Sequence, residues 1–298
     1  MQRMKASDFP QEVLNLFDRY VHGGIDRRQF IERASKYAVT GMTAAAMLEA
    51  LRPNFVLGEQ ISATDSRIKG EDISYPSPNG NSTTKGYLVK PANARGKLPA
   101  VLVVHENRGL NPHIRDVARR FAVANFLAFA PDALAPVGGY PGTEDQATQL
   151  FNKLDGAKRT EDFVAAVAFL KSHADSTGKV GAVGFCFGGG VVNTLATRVG
   201  ADLVAGVPFY GATPPPADVP NIKAHMLINF AGMDDRINAG WPAYEAALKA
   251  ANVDYQGFIY AGTQHGFLND STPRYDEAAA KLAWQRTVDH FNKHLRTS

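Results

Sequence analysis

The sequence predicts an α/β fold, a mainly parallel central sheet with helices on both faces. Three observations carry this. From about residue 60 onward, short β-branched runs alternate with longer amphipathic ones, and parallel neighbours need such crossovers. The run "PAVLVVHE" (99–106) is almost unbroken in its apolar character, as a strand covered on both faces requires. At 298 residues and 45% hydrophobic, the chain can bury one large core with an appendage.

The elements follow in order. In the first sixty residues, Asp8 is expected to N-cap "FPQEVLNLFDRYVHGG", with the glycines closing that helix. Asp26 is expected to cap a second helix running to about Ala50. This predicts an N-terminal helical extension over 1–58 and a separate domain over 59–298. "EDISYPSPNGNSTTKGYLVKP" reads as an antiparallel hairpin, because "PNGN" tolerates positive φ between two strand-like segments. After the strand at 99–106 come a helix over about 111–125 and the strand "FLAFAPD" (126–132). A Pro/Gly-rich loop leads into a long helical region over 144–173. Then follow strand 179–185, helix 188–198, strand 203–211 and the proline loop "ATPPPADVPN". Strand 224–232 precedes the helix "AGWPAYEAALKAA", strand 254–262 precedes a loop, and a last helix spans 273–295.

The 32 Lys and Arg against 29 Asp and Glu leave a net charge of only +3, without a basic run that could track nucleic acid. A single cysteine excludes an internal disulfide and the multi-cysteine zinc sites. This suits the cytoplasm, the expected location. The competing reading is periplasmic: Arg27 and Arg28, with Phe30 and then a weakly apolar run, resemble a twin-arginine export signal. The run from Tyr37 to Leu48 is too short to span a membrane. No metal or other cofactor is called for, and oligomeric state is left open.

The lone thiol sits in "GFCFGGG" (184–190), where a β-branched strand changes abruptly into a glycine-rich helix start. Gly184, Cys186 and Gly188 form the GxCxG version of the GxSxG nucleophile elbow. The glycines have a steric role, since a Cβ two residues from the nucleophile would collide with the turn. The sulfur would then lie at the positive end of a helix, and the Phe187 amide would face a developing oxyanion. The plainer account makes the cysteine a small buried hydrophobe, which leaves the flanking glycines unexplained.

A nucleophile needs a base and a carboxylate to orient it. Among eight histidines, His265 lies in the loop after the last strand, at the edge where Cys186 emerges; His105 closes the first core strand and stays in range. His22, His173, His225, His290 and His294 read as surface or packing residues. Asp234 is the expected orienter, with Asp235 suited to cap the next helix. Nucleophile, acid, histidine is the chain order of the α/β-hydrolase triad, so the expected architecture is the α/β-hydrolase fold.

Together, "GFCFGG", "AGMDDRI" and "GTQHGF", with "VVHENRGLNPHIRDVARRFA" and "APD", resemble the dienelactone hydrolase (carboxymethylenebutenolidase) family over about residues 70–296. The resemblance implies a Cys186, Asp234, His265 triad acting on small ester or lactone substrates. It also implies that Glu106 interacts with the resting thiol, and that the Asn107 amide is the second oxyanion donor beside that of Phe187. The family's substrate-binding arginines find no assured counterpart among Arg108, Arg115, Arg236 and Arg274. The competing function is a redox-sensing or ligand-binding protein on the same fold, with Cys186 oxidised reversibly.

Overall fold

A computed structural model describes residues 4–38 and 42–296. Four helices open the chain: α1 (Gln11–Val21), α2 (Arg27–Ala34), α3 (Ala44–Leu51) and the single turn α4 (Phe55–Gly58). The hairpin β1 (Ile68–Ser77) and β2 (Ser82–Pro91) leads to β3 (Leu98–Val104), α5 (Pro112–Val123) and β4 (Leu127–Pro131). Next come α6 (Glu144–Phe151), α7 (Gly156–Ser172), β5 (Ser176–Phe185), α8 (Phe187–Arg198), β6 (Ala205–Phe209) and β7 (His225–Ala231). The short α9 (Asp235–Asn238), α10 (Trp241–Ala250), β8 (Tyr255–Tyr260) and α11 (Glu277–Leu295) complete it.

The sheet order is β1-β2-β4-β3-β5-β6-β7-β8. β2 runs antiparallel to β1 and β4, and the remaining pairs are parallel. This is the α/β-hydrolase fold. Register aligns Val104 with Gly184, Phe185 with Phe209 and Ala231 with Tyr260, so β3, β5, β7 and β8 end along one edge. That edge is where an open parallel sheet gathers its chemistry. Core layers cover both faces, one built with α7, α8 and α10, the other with α5 and α11.

A third, smaller cluster ties α1, α2 and α3 together through Val13, Leu14, Phe17, Phe30, Met47, Leu48 and Leu51. Each such fully buried large side chain stabilises by about 1.5–3 kcal/mol, so this extension carries an apolar core of its own.

Several boundaries depart from expectation. Asp8 does not cap α1: Pro10 occupies the N-cap position without a side-chain cap, and the Asp8 carboxylate instead accepts from the Lys5 amide. The helix expected from 26 to 50 is two helices. Asp26 caps the first and Thr43 the second, each accepting an amide of its first turn. Residues 39–41 of the run compared with an export signal lie outside the described residues. The helical region expected over 144–173 breaks at 152–155, where Asp155 accepts from the amides of Ala157 and Lys158 and restarts the helix. The last helix begins not at Pro273 but after Asp276, whose carboxylate accepts from the Ala279 amide. In the hairpin, positive φ falls on Ser82 rather than Gly80. Gly80 is needed for space, since a Cβ there would lie 2.2 Å from Asp162 Oδ1. Among the described residues no helix is long and apolar enough to cross a membrane.

Candidate active site

Cys186 occupies the turn from β5 into α8 with φ 56° and ψ −113°. A side-chain-bearing residue costs about 1–3 kcal/mol in such a region, so its surroundings must enforce it. They do so by close approach. A Cβ on Gly184 would lie 2.1 Å from the Gly188 carbonyl oxygen, and one on Gly188 would lie 2.3 Å from that of Val104. The Cys186 amide donates to the Phe209 carbonyl at 3.1 Å, which fixes the bend against β6. Phe187 is the first residue of α8, so its N–H has no acceptor within the helix. Cys186 is buried, with 9% of its surface exposed, and it lines two clefts.

His265 follows β8 in a loop turned by Gly262 and Gly266, both at positive φ. Its Nδ1 donates to Asp234 Oδ2 at 2.5 Å, with both side chains about 95% buried. Asp234 is also the N-cap of α9: Oδ1 accepts from the Ile237 amide. The capping role expected of Asp235 therefore falls to Asp234, whose two oxygens serve two tasks, and Asp235 is exposed in the first turn. His105 does not join this group. It is fully buried, its Nε2 accepts from the Ala133 amide, and its ring stacks on Phe187.

The residue that sequence reasoning missed is His22. Its Nε2 lies 3.2 Å from Cys186 Sγ, and its ring meets that of His265 edge to face with centroids 4.8 Å apart. His22 is the C-cap of α1, 164 positions from Cys186, and no local signal in the sequence joins the two. Burial pushes the thiol up, yet the two imidazolium rings outweigh it and hold Cys186 down at about 6. Burial pulls both rings down, but the sulfur anion and each ring's own aspartate prevail, raising His265 to about 9 and His22 to about 10. Each shift favours the charged form of its group, thiolate on Cys186 and imidazolium on His22 and His265.

Glu106 and Asn107 flank the same space. Glu106 Oε2 accepts from Asn269 Nδ2 at 3.0 Å, so the described contacts engage it with Asn269 while His22 meets the thiol. Asn107 donates its side-chain amide to the Val21 carbonyl at 2.9 Å. Arg108 and Arg274 line the cleft with Cys186, Arg236 stands beside His22, and Arg115 is turned away to Asp72 and the Tyr87 ring.

Residues 84–295 match the dienelactone hydrolase family, and residues 1–38 match a family described as YqhI-like. The Escherichia coli hydrolase fragment YghX is 56% identical over 114 residues, which cover 38% of this chain and 97% of the fragment. A candidate carboxymethylenebutenolidase from Synechocystis is 32% identical, covering 74% of this chain and 95% of its own. The chain belongs to the dienelactone hydrolase family. A candidate dienelactone hydrolase from Klebsiella pneumoniae superposes with a TM-score of 0.66 at 27% identity, covering 76% of this chain and all of that one. It is an enzyme family, so this chain is a hydrolase.

In this hydrolase the space beside Cys186 is unequal on its two sides. Towards Glu106, Arg108 and Arg274, the α1 residues Phe17, Tyr20 and Val21 leave only about 40 Å³. Towards Phe151, Phe187, Val191 and Ile237 a cleft of about 470 Å³ remains, lined also by polar Asn107, Thr194 and Arg236. Donor atoms of His22, Cys186 and His265 lie within 4.8 Å of one another. The permanent cation of Arg236, 3.3 Å from His22 Nε2, opposes a metal ion there. A second convergent set, His225, Asp254 and His294, lies near the opposite ends of β7 and β8.

Proposed function

We propose that this protein hydrolyses activated esters and lactones through Cys186, His265 and Asp234, by way of a thioester acyl-enzyme. The observation that carries the reading is a cysteine of strained backbone at a helix start, its sulfur within 4.8 Å of a ring nitrogen of a histidine whose Nδ1 donates to a buried carboxylate at 2.5 Å. The thiolate forms a bond to the carbonyl carbon, and the carbonyl electron pair moves onto oxygen. The amides of Phe187 and Asn107 hold that oxyanion. As the oxyanion collapses, the C–O bond to the leaving group breaks and the departing oxygen takes a proton from His265. Water then gives a proton to His265 and attacks the thioester, the C–S bond breaks, and the thiolate returns. Asp234 keeps the ring in one tautomer throughout.

A thiolate is expelled more readily than an amine from a tetrahedral adduct, so esters and lactones are turned over and peptides are not. The apolar part of the cleft, formed by Phe151, Phe187, Val191 and Ile237, suits small acyl or aryl groups. The test is hydrolysis of 4-nitrophenyl acetate and a panel of neutral lactones by the wild type and the Cys186→Ala and His265→Ala variants. Turnover is expected to fall to background in the first and strongly in the second. Activity retained by Cys186→Ala refutes the triad. A stable sulfenic acid under peroxide with no hydrolysis by the wild type favours the redox-sensing reading instead.

A further inference from the structure

We propose that His22 is a further catalytic residue of this site: the N-terminal extension delivers its imidazole to Cys186 Sγ, where it holds the nucleophile as a thiolate before substrate arrives. The proposal rests on the triad reading above, and the tests below separate the two.

Local structure sets the ring. α1 ends at Val21, and Gly23, at φ +77°, turns the chain away, while the Gly24 amide donates to the Arg19 carbonyl at 2.8 Å. His22 Nδ1 donates to the Asp18 main-chain carbonyl at 2.7 Å, which fixes the proton on that nitrogen and leaves Nε2 facing sulfur. Asp18 Oδ1 stands 3.3 Å from the same Nδ1. Unlike Asp234, which accepts from His265 with its carboxylate, Asp18 orients His22 through its main-chain carbonyl and sets its carboxylate nearby as a charge.

Docking then sets the helix. The Val21 carbonyl accepts from both Asn107 Nδ2 and Arg108 Nη2, each at 2.9 Å. Gln11 pairs with Gln264 through bonds of 2.7 and 3.2 Å. Asp18 lies 3.7 Å from Arg236 and 3.6 Å from Arg274, whose guanidinium also covers the Phe17 ring. Asn107 adjoins Glu106, Gln264 adjoins His265, and Arg236 is two residues after Asp234. The extension is thus registered on the backbone that carries the triad, so its histidine is held on a rigid element as a reacting group must be.

Charges facing the cluster come from every element around it. Arg236 Nη2, 3.3 Å from His22 Nε2, opposes protonation of the ring, but its side chain is half exposed and its charge is screened. The Asp18 carboxylate lies near both arginines and favours the cation, and burial is outweighed there, since Asp18 is held well below the usual carboxylate range. Glu106 and Arg274 line the same cleft, and His265 with Asp234 closes the far side. The proton that leaves Sγ is taken by Nε2, which donates it back along the same contact, and no other reactant is required.

The experiment uses the full-length protein. Because the chain has one cysteine, thiolate absorbance at 240 nm and alkylation by iodoacetamide both report on Cys186 alone. In the wild type the absorbance should have its midpoint near 6. His22→Gln should move the midpoint upward by a pH unit or more, slow alkylation at pH 6.5 about tenfold, and leave the rates equal above the ordinary thiol range. Asp18→Asn, which keeps the imidazole, should move it in the same direction by less. A midpoint unmoved in both variants overturns the proposal. If the midpoint moves while Cys186→Ala still turns over ester, the ion pair stands and the triad reading falls. If turnover requires Cys186 and the midpoint ignores His22, only this proposal falls.

Discussion

Two histidine–aspartate pairs reach Cys186, and they are built in opposite ways. His265 and Asp234 come from loops after different strands, meet at 2.5 Å and are almost wholly buried. His22 and Asp18 sit one turn apart on a single helix, 3.3 Å apart, with roughly a fifth of each side chain exposed. The first pair exists only because β7 and β8 are adjacent in register; the second would form on any copy of α1, and needs the rest of the molecule only to bring it to the sulfur. A pair carried by a docked helix depends on a few polar contacts and a small apolar core.

That contrast can be broken in order of expected effect. In the proposed mechanism His265 is acid and base of both half-reactions, so His265→Ala should lower kcat by about 10²–10⁴-fold, read with 4-nitrophenyl acetate. Asp234→Asn should approach that loss by freeing the ring's tautomer, and should also weaken the cap of α9 by up to about 1 kcal/mol, seen as a lower Tm. Asp18→Asn should change kcat far less, and equal losses from the two aspartates would erase the distinction drawn between the pairs. The pH profile sharpens it. Turnover should rise as Cys186 ionises through about 6 and fall as His265 loses its proton through about 9. The signs agree with linkage. The lowered thiol stabilises the fold at high pH and loses that contribution as pH falls through about 6. The raised imidazole stabilises it at low pH and loses that contribution as pH rises through about 9. Smallest of all, Gln11→Ala removes the hydrogen bonds to Gln264 and should loosen α1 by about 1 kcal/mol, detected as faster amide exchange in the extension.

Much of this was readable from residues alone. The GxCxG frame revealed the elbow because the collisions its glycines avoid are local, with Gly184 and Gly188 only two positions from Cys186. His265 and Asp234 were reachable because both follow strands that must end on the same edge of a parallel sheet. The misplaced helix boundaries had a different cause: Thr43 and Asp155 are short capping residues inside otherwise continuous helical patterns, and periodicity outvoted them. His22 left no trace at all. A histidine followed by two glycines at a helix end reads as punctuation, and nothing near it mentions sulfur.

What the sequence by itself determined is the elbow, the strand order that carries acid and histidine behind it, and the family these residues share. Such features follow from steric limits within a few residues and from the two-residue and 3.6-residue periods that assign faces. Only tertiary structure decided that the His22 imidazole meets the thiol, that Asn269 donates to Glu106, and that the wider cleft beside Cys186 opens towards Phe151 and Phe187. Those outcomes depend on how a helix with its own apolar core settles on a finished sheet, and that is set by side-chain contacts between segments more than a hundred residues apart.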